Sequence, residues 1–410
     1  MARYGLPDNV VYCQRCVMSN QTAVPSVVTR DSKEGSKQTI IFDDGICQPC
    51  HMHESFEKTI DWEQREKELV ELLDRYRSSD GSYDCIVPGS GGKDSVFQSV
   101  LLKEKYGMNP LTVTWAPHMY TDIGHKNFEN WIHKGGFDNF LFTPSGEVHR
   151  KLTQLAYRNL LHPFQPFIFG QRNYVVHMAK LLGIKLVFFG ENPAQYGGVE
   201  GEEFSPIADS RYFTEDDQDS MLVSGLTLKL LETDHGITRN DLQYYLPLTT
   251  SQFDSLNLDI RWLGHYIKFH PQYNFYYAQE KTAFQANDQR TEGTYSRYNS
   301  IDDKLDCLHY WTGFIKFGMG RASHEASQEV RNGDLTREEA VSLVRKYDGE
   351  LPLRYLPEIL EYLNMSKEEF LSIADSFRSP HLWEKSSDGA WILRHQVDNL
   401  LENPSKSLVA

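Results

Sequence analysis

Between residues 82 and 203 the sequence predicts an α/β fold, a mostly parallel sheet flanked by helices, and three observations predict it. Short apolar runs (YDCIVPG, PLTVTWA, FDNFLFTP and KLVFFGEN) alternate with longer helical patterns. Glycines close the helices at Gly107, at Gly135-Gly136 and at Gly183. The first strand also runs directly into a glycine–serine loop that opens a helix. Strands separated by helices need crossovers, which makes neighbouring strands parallel and puts helices on both faces. Ligands of such sheets bind at the carboxyl ends of the strands. The loops after Val87, Trp115, Thr143 and Phe189 are therefore the candidate site.

The elements follow in order. Residues 1–60 form a small unit with Cys13-x-x-Cys16 near its start and Cys47-x-x-Cys50 near its end. Two β-rich runs, Val24–Thr29 and Thr39–Phe42, lie between the pairs around a polar turn, so a hairpin bracketed by cysteine knuckles is expected, in the manner of a zinc ribbon. Asp61 opens a charged helix in which Leu69, Leu72, Leu73 and Tyr76 recur on one face. The α/β pattern fills the rest of 61–203. Residues 204–303 are acidic (EDDQD), aromatic (QYNFYYAQ) and poorly periodic, and are expected to be an insertion or a substrate-covering segment. From 304 to 410 helical patterns return: LDCLHYWTGFIKFG, a polar linker GRASHEASQEVRNGD, then LTREEAVSLVRKYDG, capped by Asp334 or Thr336 with Glu338 and Glu339 in its first turn.

The chain has 410 residues, 40% hydrophobic and 24% charged, which are ordinary globular values. No run approaches the roughly 18–20 apolar residues of a membrane span, and the N-terminus lacks a secretory pattern, so a cytoplasmic protein with no membrane association is expected. The net charge of −15 opposes a nucleic-acid role, because phosphate neutralisation needs clustered Lys and Arg.

Two Cys-x-x-Cys pairs can supply four thiolates in a tetrahedron. With all four positions filled, no water is left to activate, so a zinc ion there would be structural. It would supply much of the folding energy of so small a unit. An iron–sulfur cluster is the alternative. His51 and His53 lie beside the second pair as spare donors. Cys85 and Cys307 fall in a strand and a helix and are expected in the core.

The loop reads Pro88-Gly89-Ser90-Gly91-Gly92-Lys93-Asp94-Ser95. Its glycines let backbone approach an anion, and the helix N-terminus adds unpaired N–H groups and a positive dipole. It is not a Walker A loop, since Asp94 stands where Ser or Thr must follow Gly-Lys.

Ser-Gly-Gly-x-Asp-Ser after the first strand resembles the signature of the PP-loop ATP pyrophosphatases, matched at Ser90, Gly91, Gly92, Asp94 and Ser95. With YCQRCVMS (12–19), IIFDDGICQPC (40–50), FFGENPAQYGG (188–198) and the KFGMGR…REEA stretch (316–340), the chain is similar to the N-acetyl sugar amidotransferases of bacterial surface-polysaccharide pathways, including lipopolysaccharide O-antigen and pseudaminic acid synthesis. The resemblance implies a PP-loop (adenine nucleotide alpha hydrolase-like) domain over 61–203. It also implies binding of ATP through residues 90–95 and Mg²⁺ held with help from Asp94. Lys93, at the variable position of the motif, is a candidate phosphate ligand, and Asp94, Lys93 and Glu191 are the candidate catalytic residues. Trp115 ends the strand where this fold usually holds adenine. Glu191 and Asn192 lie at a ligand-facing strand end, near the adenylate or ammonia. Lys316 and Arg321 are candidates for phosphates of ATP or substrate. Gly89 departs from the ordinary small or β-branched residue expected at its position.

The implied reaction turns an acetamido group on a nucleotide-linked sugar into an acetamidino group. ATP activates the amide oxygen, ammonia displaces AMP, and pyrophosphate is released. No glutaminase motif is present, so the resemblance implies a separate class I glutaminase and its barrel partner as the ammonia source. A tRNA-thiolating PP-loop enzyme is the alternative enzyme. A zinc ribbon on an inactive nucleotide fold is the alternative of another class, which the intact Asp94 and Ser95 oppose.

Overall fold

The computed structural model describes residues 2–21, 39–190 and 205–398. The expected strand at Val24–Thr29 lies outside the described residues. A short antiparallel hairpin, β1 (Phe42–Asp43) and β2 (Ile46–Cys47), leads into the second cysteine knuckle, and the helix Gln48–Thr59 follows it. The helix Trp62–Tyr76 starts where Asp61 accepts a hydrogen bond from the Gln64 N–H, and it buries Leu69, Leu72 and Leu73 as its periodicity predicts.

The central sheet has five parallel strands: β3 (Cys85–Pro88), β4 (Pro110–Trp115), β5 (Asn139–Phe142), β6 (Leu186–Phe189) and β7 (Asp259–Trp262), in the order β5-β4-β3-β6-β7. The fold is the parallel, helix-flanked sheet read from the sequence. The fifth strand was not expected. It comes from the segment read as an insertion, and its four residues, DIRW, are too short and too polar to announce a strand. Pairing with β6 makes it one.

Both faces of the sheet are covered, as a parallel sheet requires. Cys85, Val87, Leu186 and Phe188 face Leu69, Leu72 and Leu73 on one side. Ile86, Leu111, Val113 and Val187 meet Val175, Val176 and Ala179 of the helix Gln165–Leu182 on the other. The helix Pro271–Thr282, formed by the aromatic stretch, packs with Phe275 and Ala278 against Val96 and Val100 of the helix Lys93–Val100. Glycine stops act where the sequence places them: Gly136 and Gly183 are left-handed, with φ of 64° and 72°.

The C-terminal part is helical, with helices Asp306–Phe317, Arg321–Asn332, Arg337–Tyr347, Leu356–Leu363 and Lys367–Ser376, and a closing hairpin of β8 (Trp383–Lys385) and β9 (Trp391–Leu393). The expected polar linker is instead the helix Arg321–Asn332. Its small residues Ala322, Ser323, Ala326 and Ser327 are buried, and close approach through small side chains replaces the apolar stripe that a sequence reading looks for. Thr336 caps the next helix in a reciprocal box with Glu339, so Thr336 and not Asp334 is the cap.

Candidate active site

At the carboxyl end of β3 the chain turns through Gly89–Gly92 into the helix Lys93–Val100, beside the point where strand order reverses between β3 and β6. Gly91 sits at φ +84°, and a Cβ there would meet the Phe128 Cα at 2.7 Å. Gly89 is equally constrained: a Cβ would lie 2.1 Å from that of Ser95. Glycine at position 89 is thus a packing requirement of this loop. Ser95 is turned back on the loop, its hydroxyl donating to Gly92 O at 2.9 Å.

The loop faces a cavity of about 250 Å³, whose near wall carries Ser90, Gly92, Lys93 and Asp94. The far wall carries Tyr298, Asn299, Ser300, Asp302, Asp303, Asp306 and Arg321, and Pro117, Phe164, Phe167 and Gln171 close the side. Two anchors hold the far wall in place. Thr121 N donates to Asp302 O at 3.1 Å, and Gly124, where a Cβ would meet the Asp302 Cα at 2.4 Å, allows that approach. The Asp303 carboxylate accepts from the backbone N–H groups of His118 (2.7 Å), Met119 (3.2 Å) and Leu305 (2.9 Å), and pairs with His118 Nδ1 at 2.7 Å. Asp303 is therefore a brace.

Asp302 and Asp306 are the carboxylates left to the cavity. Burial pushes the Asp302 carboxyl up, opposed by a hydrogen bond with Ser90, and the neighbouring Asp303 pushes the same way as burial. Asp306 is raised well above the carboxylate range by burial and then by Asp302 and Asp303, while Arg321 opposes the rise. On the near wall, Asp94 accepts from Lys93 Nζ at 2.5 Å and from Asn274 Nδ2 at 3.0 Å. Lys93 and Arg321 bring positive charge to the same lining, which offsets the carboxyl groups that face the loop. An all-oxygen donor set, with Asp94 partly exposed to the cavity, fits Mg²⁺.

The expected site residues divide. Ser90, Gly92, Lys93, Asp94 and Arg321 meet at the cavity. Trp115 does not line it: the indole is 3% exposed, packed against Phe142, Tyr174 and Tyr245, because the strand turns this side chain into the sheet face. Lys316 is likewise buried, and its ammonium donates to Leu160 O at 2.9 Å, so it ties two helices together where a phosphate ligand was expected. Glu191 and Asn192 lie outside the described residues. Sequence reasoning missed Asn274, Asp302 and Asp306. The run Ser-Ile-Asp-Asp-Lys-Leu-Asp looks like any solvated acidic stretch, and an asparagine among tyrosines carries no motif.

The four cysteines converge as expected. The Cys13–Cys50 and Cys16–Cys47 sulfur separations are 3.9 and 3.6 Å, and all four sulfurs lie within 4.8 Å of one another. A tetrahedron with Zn–S near 2.3 Å has edges of about 3.8 Å, so the site fits one ion and is too tight for a cluster of several irons. Backbone N–H groups of Arg15, Cys16 and Cys47 point at the Cys13 sulfur, and its thiol is driven toward thiolate by Cys16, Cys47 and Cys50. Buried Arg337 donates to the carbonyls of Cys13 and Cys16, placing a positive charge beside the thiolates. His51 bonds Asp43 O instead. Cys85 and Cys307 are core residues.

Residues 292–397 match the family model for the C-terminal domain of WbpG-like LPS biosynthesis proteins. The far wall of the cavity, 298–321, falls inside that match. The chain is thus similar to the WbpG-like proteins. A stretch of 52 residues is 48% identical to an uncharacterized protein of Methanocaldococcus jannaschii, covering 13% of this chain and 19% of that protein. The chain therefore spans about a fifth of that relative's length. Among solved structures, an NMN synthetase from Francisella tularensis aligns over 48% of this chain and 85% of its own, at 14% identity and TM-score 0.26. A NAD+ synthetase from Burkholderia pseudomallei aligns over 58% and 98%, at 16% identity and TM-score 0.24. At those scores neither bears on the function of the chain. No helix among the described residues is long and apolar enough to cross a membrane.

Proposed function

We propose that the chain is an ATP-dependent amidotransferase that converts the acetamido group of a nucleotide-linked N-acetyl sugar into an acetamidino group. One observation carries the reading: the WbpG-like region supplies the wall that faces the phosphate loop across a single cavity. In this reading ATP chemistry and the family-matched surface meet at one place. The Ser90 hydroxyl and the backbone N–H groups of Gly91, Gly92 and Ser95 would hold the β,γ-pyrophosphate at the helix N-terminus. Mg²⁺, held by Asp94, would neutralise charge on the leaving pyrophosphate. Arg321 suits a phosphate of the sugar nucleotide, and Phe164 and Phe167 offer an apolar side that keeps water from the activated amide.

The acetamido oxygen attacks the α-phosphorus, the bond to pyrophosphate breaks, and the amide N–H proton is lost, leaving an O-adenylyl imidate. Ammonia then adds to the imidate carbon and AMP departs with the oxygen. Ammonia would come from a separate class I glutaminase with its barrel partner. The protein would act in the cytoplasm, on a substrate made there.

The test is release of AMP and pyrophosphate from ATP and ammonium across a panel of UDP- and CMP-linked N-acetyl sugars, with mass spectrometry of the product. Sugar-dependent AMP and replacement of one oxygen by NH are expected, with ammonium but not glutamine as nitrogen source for the pure chain. AMP released only with tRNA would replace this reading with tRNA thiolation.

A further inference from the structure

Asp94 is gripped from two sides, and the grips differ in kind. Lys93, its neighbour in sequence, reaches Oδ2 with a four-carbon arm that is 8% exposed, and its ammonium is a point charge on the cavity lining for which an incoming polyphosphate competes. Asn274 reaches Oδ1 from a helix far along the chain, and it is fully buried. That helix is fixed in place. His270 caps its first turn, Phe275 and Ala278 pack on Val96 and Val100, and Phe97 sets its ring edgewise to Tyr273 and Tyr277. An amide mounted this way cannot follow a carboxylate that moves.

The amide is also poorly explained by folding. Its Oδ1 is buried without a hydrogen-bond partner, a deficit of about 1–3 kcal/mol that a leucine of similar volume would not carry. The donor to Asp94 is what the asparagine adds. We infer that Asn274 is a positioning residue: it pins Asp94 through Oδ1, so that Oδ2 stays presented to a nucleotide-bound divalent cation after Lys93 turns to the phosphates. The inference rests on the reading of this cavity as the Mg·ATP site.

Calorimetric titration of the whole chain with ATP tests it, once with Mg²⁺ and once with EDTA, in the wild type, Asn274→Leu and Asn274's helix neighbour Phe275→Leu. The wild type is expected to bind ATP more tightly with Mg²⁺. Asn274→Leu should reduce that gain by about tenfold, while metal-free ATP affinity stays within about twofold, the behaviour of a residue that orients a metal ligand. Phe275→Leu loosens the same helix without touching Asp94 and should keep the Mg²⁺ gain. A full gain in Asn274→Leu overturns the inference alone. So does an equal loss of gain in Phe275→Leu, which would make the effect one of packing. A wild type that binds no ATP overturns the reading of the cavity and this inference with it.

Discussion

The glycines of the phosphate loop have different duties, and substitution separates them. At Gly91 an added methyl meets Phe128 backbone in a left-handed conformation, so Gly91→Ala should lose about 2 kcal/mol or more of stability along with nucleotide binding. Gly92 has φ −66° and open space, with Ser90 Oγ 3.8 Å from where a methyl would sit, so Gly92→Ala should melt like the wild type and lose affinity alone. Thermal melts and ATP titrations of the two variants check this pair of outcomes. The loop was legible because its chemistry is contiguous: six residues carry it, and the strand before and helix after give it context. Asn274 and Asp302 were not legible, because each acts through a partner that only folding brings near. Trp115 and Lys316 misled for a related reason. A strand end and a cation near a motif suggest a ligand, but which way a side chain turns is decided by packing.

At the scale of elements, helices with strong caps and apolar faces were read correctly, and those stabilised by small or polar burial were not. The helix Arg321–Asn332 shows why. Its inner face holds Glu325 and Glu329 among alanines and serines, a pattern that looks solvated. Glu329, 8% exposed, is pushed up to about 7 by burial, against a hydrogen bond from Tyr295, with Glu325 and Asp334 adding to the rise. Its ordinary value is 4.5. Between those two values the folded chain binds a proton that the unfolded chain has released, so this group's contribution is fully present below pH 4.5 and is lost as pH rises through 7. Glu329→Gln removes that loss. Denaturant unfolding at pH 5 and pH 8 should show the variant gaining on the wild type at the higher pH, by about 3 kcal/mol at most. The β7 strand escaped detection for a different reason, since DIRW becomes a strand only through the edge that β6 offers it.

Over the whole molecule, the cysteine unit is not the independent module its sequence suggests. Met319 and Val330 join its sulfur-lined core, Ser19 N lies 3.4 Å from the Met319 sulfur, and Arg337 bonds the first knuckle. Arg321 of the cavity wall follows Met319 after a single glycine. If the four cysteines hold zinc, stripping it should therefore loosen the cavity wall from a distance. Hydrogen exchange is expected to rise by about tenfold or more in 13–21 and 319–337, while β3 and β4 stay protected. Nucleotide affinity should fall in parallel, and Cys47→Ser should reproduce both effects. Unchanged exchange at 319–337 would return the unit to the role of an appendage.

The cavity's division between residues 90–94 and 298–321 also sets an order in time. At about 5–20 residues per second, a ribosome releases the phosphate loop on the order of ten seconds or more before Arg321 emerges. During that interval the nascent chain owns the loop without the surface opposite. In the proposed reading, a nucleotide then has only half of its site to engage and should not template the folding sheet. If the cavity binds ATP as proposed, ligand stabilisation is complete only once residues 298–321 are made, and a synthesis stalled before residue 321 should leave a product that ATP does not rescue.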